Sequence, residues 1–499
     1  MKRTDVAAVH MGDEVTKRPT PTDGNPCVNE NETCASAENE PQDTHLFTPA
    51  FAALLAAQLF SLTGSAVARF VLPLYLLNLT GSASLYGAAA AAAFVPYILC
   101  MPVGGVAADR VRKQRYMAAL DAALALVAMG YLALAGTAVI VVVTFAALML
   151  LFACHALYQP AIQASVPHLV ARERVTQAVA LVTQVNMLTG ILGPVLGGAV
   201  FGFFGIKPIM ALSTVAFVVS SVLILALVKV GDMREGGAAQ AAGAAAAHAA
   251  GAAAAHTGGI ATAVGVCDAP RTARAAATAP TPGRTHINPF AVFIADLQVA
   301  ARFLRSHPLL WHAIAFAAAC NLVLSAGLTV GGAYIVTEWL GLSNQLMGIA
   351  EASYGVGGLL GGLLVAARPA AFPFEGVPRT LLLASLGLAP IAGSLALGLP
   401  SIATFVIMLI SLAWILGCAT CFTIALTGAL QTSTPPNLIG KVMALMYAAV
   451  NCATPLGQVI FGIAFDAATP AAIVTAMLVA MLIFSILMYI DFRRKETEW

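Results

Sequence analysis

Twelve apolar runs, each long enough to cross a bilayer, divide this chain between Phe47 and Ile490. A crossing takes about 20 residues of helix. The runs are Phe47–Leu77, Ser84–Ala107, Met117–Leu134, Val139–Tyr158, Gln177–Phe203 and Pro208–Val228, then, after an interruption, Leu309–Val336, Asn344–Ala367, Thr380–Leu399, Ile402–Ala429, Leu438–Phe465 and Ala471–Ile490. Only 10% of residues are charged and 60% are hydrophobic, where soluble domains carry about 25% charge. The chain could not cover a water-facing surface with what it has, so its solvent is lipid. The sequence predicts an all-α integral membrane protein. Its 43 glycines suit helices that must pack closely without a hydrophobic effect to draw them together. A net charge of +2 argues against a nucleic-acid partner.

Basic residues fix the orientation. The loops after runs two, four, eight and ten, with the C-terminal tail, hold Arg110, Arg112, Lys113, Arg115, Arg172, Arg174, Arg368, Arg379, Lys441, Arg493, Arg494 and Lys495, whereas the short loops on the other side hold Lys207 alone. Cytoplasmic loops carry the Lys and Arg excess. Both termini are therefore expected in the cytoplasm, with the protein in the cell membrane.

Two stretches break the pattern. Residues 1–45 are polar, lack an apolar core and read as a disordered tail. Residues 231–307 begin as an Ala-, Gly- and His-rich flexible linker. They end in a surface helix on which Phe293, Leu297, Ala300, Ala301 and Leu304 recur at helical spacing, away from Asp296, Arg302 and Arg305. The expected bundles are thus 46–230 and 308–492, with a short tail at 493–499. Cys418 and Cys421 have the spacing of a redox or metal pair but read as small-residue packing inside an apolar run. No metal or cofactor is expected.

The two sets of six runs echo each other. Gln163-Ala-Ser165-Val-Pro167 closes run four and Gln431-Thr-Ser433-Thr-Pro435 closes run ten, while Pro194 and Phe201-Gly202 in run five match Pro455 and Phe461-Gly462 in run eleven. A duplicated six-helix unit with a site between the copies is a transporter architecture. The expectation is two pseudo-symmetric six-helix bundles.

Gly105, Asp109, Arg110 and Lys113 occupy the places of G-x-x-x-D-R-x-x-[RK], and the segment resembles the loop 2–3 signature of the major facilitator superfamily. Arg112 stands where many members have Gly. Thr189-Gly190-Ile-Leu-Gly193-Pro194-Val-Leu-Gly197-Gly198 resembles the span-five motif of the superfamily's antiporters, one residue short in its first spacing. LPLYLLNLTGSASLYG, DLQVAARFLRSHPLL and LQTSTPPNLIGKVMAL are similar to the macrolide-efflux and enterobactin-exporter branch. In the second half Gly361-Gly362 survive, but no Asp-Arg pair follows before Arg368. The resemblance implies the major facilitator fold, proton-linked efflux of small, partly hydrophobic molecules, and a monomer surrounded by lipid. It also implies gating roles for Gly105, Asp109, Arg110, Lys113, Gly193, Pro194, Gly197 and Gly198. Asp109 would meet the start of span eleven, where a helix N-terminus stabilises a carboxylate by roughly 0.3–1 kcal/mol.

Charges inside spans are costly and mark function. Glu351, Asp121 and Arg69 are the candidates for proton coupling, with Glu351 first and Asp121 also placed to support the basic loop through Arg115. Gln58, His155, Gln159, Asn186, Asn321, Asn451 and Gln458 are candidates to line a cavity; a polar group that does not would bond a neighbouring helix for about 0.6 kcal/mol. The chain has no Walker pattern, so ATP is not expected to drive it.

Overall fold

The computed structural model describes residues 48–171, 174–228, 289–435 and 438–496. The tail 1–45, the linker up to residue 288, Arg172 and residues 497–499 lie outside the described residues. Among those described, the secondary structure is helical without a strand, and twelve helices are long and apolar enough to cross a membrane. The first half holds α1 (Pro49–Thr80), α2 (Ala83–Arg110), α3 (Lys113–Leu134), α4 (Ile140–Ser165), α5 (Val175–Phe204) and α6 (Ile206–Leu227). A surface helix, α7 (Pro289–Arg305), leads into the second half. That half holds α8 (Pro308–Trp339), α9 (Asn344–Ala367), α10 (Phe374–Ala396), α11 (Ser401–Ser433), α12 (Ile439–Ala467) and α13, which spans as Pro470–Arg494. Helix α8 contains two π turns, Asn321–Ser325 and Ile335–Trp339.

The duplication is visible in which helices touch. In the first half α1 packs on α5 and α6, α3 on α4 and α6, and α2 on α4; in the second α8 packs on α12 and α13, α10 on α11 and α13, and α9 on α11. The halves meet mainly through α5 against α9 and α2 against α12. Exchanging each helix for its counterpart turns one of these contacts into the other. The repeated Gln-x-Ser stretch ends α4 at Ser165 and α11 at Ser433.

Surface helix α7 buries Ala300 and Leu304 completely and leaves Arg302 and Arg305 exposed. It lies against α12 and the basic-loop end of α2, and Asp296 Oδ1 meets Lys441 Nζ at 2.8 Å.

The first half is also tied through Asp121, which is fully buried on α3. Its Oδ1 accepts from Ser61 Oγ on α1 at 2.6 Å, and its Oδ2 from Ser220 Oγ on α6 at 2.6 Å and Tyr158 Oη on α4 at 3.4 Å. The expected support of the basic loop through Arg115 is not what forms. Arg115 is exposed in the first turn of α3, and the hydroxyls of three neighbouring helices serve the carboxylate instead. Intramembrane hydrogen bonds average about 0.6 kcal/mol, so losing three gives about 2 kcal/mol. Asp121→Ala should lower the thermal midpoint of the detergent-purified protein by several degrees. Asp121→Asn, which keeps one acceptor, should lower it less. Equal midpoints for wild type and both variants would refute the assignment.

Candidate functional site

A cavity of about 1100 Å³ separates the two halves near the basic loops. Thr183, Gln184 and Met187 of α5 form one wall, and Leu363 of α9 and Ile424 and Thr432 of α11 face them. Residues 306–310, among them His307, and Phe372, Phe374 and Glu375 also line it. The walls are mostly aliphatic with a few hydroxyl and amide groups, the chemistry that suits a small, partly hydrophobic guest.

Towards the opposite face the halves are in contact. On α5, a Cβ added to Gly198 would lie 2.7 Å from the Asn344 carbonyl oxygen and 2.8 Å from Gly348 Cα of α9. No side chain but hydrogen fits there, so backbone meets backbone. Asn78 Nδ2 donates to Asn344 Oδ1 at 2.9 Å beside this crossing. At the related crossing, a Cβ on Gly462 of α12 would lie 2.8 Å from the Ala83 carbonyl oxygen of α2. The groups that seal this face are therefore small residues, with polar groups at the rim.

The motif of α5 divides its work. Gly193 packs on Ala66 and Gly197 on Phe70 and Val71, all within the first half, whereas Gly198 and the Pro194 carbonyl face Gly348 across the halves. Lys113, at the start of α3, donates to Ala164 O at 2.9 Å and lies 2.8 Å from His168 Nε2, joining the basic loop to the end of α4. A cation is favoured at that carbonyl-rich helix end. The side chains of Gly105, Asp109 and Arg110 lie outside the described residues.

Glu351 lies two helical turns into α9, one turn beyond Gly348. Tyr86 of α2 and Tyr354 of α9 lie within range of its charge, so the carboxyl sits where the two halves face each other. Arg69 belongs to a different cluster within the first half. Its guanidinium lies 5.6 Å from the centre of the Phe152 ring, and Tyr97 packs edge-on to Phe152 and stacks on His155. The cation–π contact gives this half-buried charge a partner in the aromatic cluster.

The remaining polar candidates are spread over several helix contacts. Gln159 Nε2 donates to Asn186 Oδ1 at 3.1 Å, and Asn186 Nδ2 donates to Val182 O at 3.0 Å. Gln58 Nε2 approaches the same carbonyl at 3.4 Å, which brings α1, α4 and α5 together. Asn321, the first residue of a π turn, donates to Ala317 O, and Asn451 donates to Tyr447 O. Gln458 is buried where α12 crosses α2. None of these six residues, nor His155, is among those lining the cavity.

Asp466, absent from the sequence-based candidates, joins the halves directly. It accepts from Ser82 Oγ at 2.8 Å and from the Ala83 amide at 2.7 Å, across from α12 to α2. The available signal was an acidic residue at the carbonyl end of a helix, where its own dipole disfavours it. Ending the apolar run at Phe465 left it one residue outside.

Comparison with known proteins points one way. A family model described as Major Facilitator Superfamily matches residues 54–369. Macrolide efflux protein A of Streptococcus pyogenes is 27% identical over 191 residues, 36% of this chain and 46% of that protein. The chain thus spans about half the length of the curated relatives it matches. Among solved structures, a bacterial homologue of the iron transporter ferroportin in an inward-facing state has a TM-score of 0.57 at 17% identity, covering 89% of this chain and 98% of that one. A bacterial homologue of the human lysosomal transporter Spinster, inward-facing and unoccupied, has a TM-score of 0.59 at 15% identity, covering 89% and 97%. At these identities the likeness is one of fold.

Proposed function

The chain belongs to the major facilitator superfamily, and on that premise we propose that it exports small, partly hydrophobic molecules from the cytoplasm by proton-coupled alternating access. The observation that carries this reading is the pairing of a mostly aliphatic cavity of about 1100 Å³ between the halves with glycine-to-backbone closure on the far side. The loop between Arg368 and Arg379 and the last turn of α11 border the cavity, and the excess of Lys and Arg in the loops on this side supports a cytoplasmic mouth. In this reading the bundles 46–230 and 308–492 are the rocking bodies, residues 231–307 join them, and the protein works as a monomer in the cell membrane. The relative named for macrolide efflux makes a macrolide the first probe.

Cells expressing the protein should hold less labelled macrolide, or less of a panel of hydrophobic dyes, than cells with an empty vector. A protonophore should abolish the difference. Uptake in place of release would favour an importer on the same fold, and a protonophore-insensitive gradient would overturn proton coupling. Asp109 enters as the carboxylate that the resemblance puts opposite the start of α12. Asp109→Asn should cut efflux severalfold at equal expression, and unchanged efflux would remove it from the gate.

A further inference from the structure

The amino end of α2 is held by the other half of the molecule. A helix leaves its first four amides without partners inside the helix. In α2, the Leu85 amide donates to Ser82 Oγ at 3.2 Å and the Tyr86 amide to Ser82 O at 3.3 Å, so two are met locally. The other two belong to Ala83 and Ser84. They donate to Asp466 Oδ1 at 2.7 Å and Oδ2 at 3.0 Å. Ser82 Oγ and Ser84 Oγ donate to Oδ2 as well. Asp466 occupies the last turn of α12. A carboxylate of one half therefore caps a helix of the other.

The arrangement is not neutral for α12. Its carbonyl end carries partial negative charge, which repels an anion, while the amide end of α2 carries partial positive charge. Asp466 is stabilised by α2 and opposed by its own helix. Separation of the halves on this face would expose two α2 amides together with a carboxylate left on an unfavourable dipole. Asp466 is exposed, so water can take over each of these bonds as the halves part. That makes the contact releasable. The α2–α12 pair is thus capped across the halves on the face away from the basic loops.

We propose that Asp466 is a positioning residue of the transport cycle, the latch that holds the halves together on the face opposite the basic loops. It rests on the transport reading above. Opening towards that face requires Asp466 to leave the amino end of α2, and closing requires it to return. Asp109 stands at the opposite end of α2. Asp466 lies in the last turn of its helix as Asp109 does in the last turn of α2.

The test uses the full-length protein in lipid nanodiscs, with spin labels at Lys207 and Leu399, both exposed on this face. Electron–electron distance distributions report the separated and closed populations. Asp466→Ala should raise the ratio of separated to closed molecules about tenfold, the factor that corresponds to about 1.4 kcal/mol. Ser82→Ala combined with Ser84→Ala leaves the two amide bonds and should give a smaller shift in the same direction. If the alanine variant does not elute as a single folded species, Asp466→Asn carries the test, since it keeps one acceptor and loses the charge. An unchanged distribution in a folded Asp466 variant overturns the proposal. The distance measurement needs no substrate. A failure of the transport reading would appear separately, as wild-type protein that moves no probe while the Asp466 variants still shift the distances.

Discussion

Glu351→Gln should reduce proton-driven accumulation of a transported probe to background, a loss of at least about tenfold, while exchange of the same probe down its gradient continues. Glutamine keeps the size and hydrogen-bonding shape of glutamate but cannot carry a proton. The position explains why this one group should matter. Glu351 lies one turn along α9 from Gly348, just inside the crossing with α5, and Tyr86 of α2 stands within range of its charge. In the proposed cycle a carboxyl at that junction would change surroundings as the halves rock. A charge in hydrocarbon is costly, so a carboxyl between the halves is the first candidate to carry the proton of the proposed cycle. Everted vesicles with an imposed pH gradient measure the first activity, and counterflow in proteoliposomes without a gradient measures the second. A glutamine variant that still builds a protonophore-sensitive gradient would exclude Glu351 as the carrier.

The second large effect is expected at Gly198. Even alanine there places a Cβ 2.7 Å from one backbone atom of α9 and 2.8 Å from another, and backbone cannot rotate away as a side chain can. Overpacking typically costs about 1–3 kcal/mol. Here the cost falls only on the state in which α5 and α9 touch, so it moves the balance between states. Gly198→Ala should slow efflux roughly tenfold, and Gly198→Leu should abolish it and leave the face opposite the basic loops open to a membrane-impermeant thiol reagent. Gly193→Ala is the control. Its Cβ would meet Ala66 Cβ at 2.6 Å within the first half, a clash that rocking of the halves as proposed would leave unchanged. It should lower thermal stability without changing which face is accessible. Equal effects of the two alanine variants on accessibility would show that the α5 motif serves general packing.

The spans were legible because lipid as solvent makes hydropathy decisive. All twelve runs coincide with helices. Their ends were less legible, for a physical reason. Hydropathy marks where hydrocarbon contact stops, whereas a helix continues while its polar residues find partners inside the bundle. The fourth run was ended at Tyr158, yet α4 continues to Ser165, with Gln159 bonded to Asn186 and Ser165 Oγ to Ala161 O. The eleventh was ended at Phe465, one residue short of Asp466. The pairing of the halves could be anticipated from the repeat, since the Gln-x-Ser stretches mark equivalent helix ends. The site was harder to read. An amide on a span bonds a neighbour or faces a cavity according to the rotation of its helix, and lipid-facing and protein-facing sides are both apolar. Among the charges, Asp121 and Glu351 look alike in sequence, but hydroxyls from three helices enclose the first and the second stands between the halves.

Helix α7 has a consequence beyond joining the two halves. Its buried edge rests on α12, while Ile294 is 51% exposed and Val299 36% exposed on its outside. Together with the exposed Arg302 and Arg305, these residues suit the boundary where acyl chains give way to phosphate groups. On the proposed cytoplasmic side the second half thus bears a fin suited to the lipid boundary. In the proposed cycle, a tilt of that half would change the area it occupies on that side of the bilayer, so lateral pressure and spontaneous curvature of the lipid would enter the free energy of each turnover.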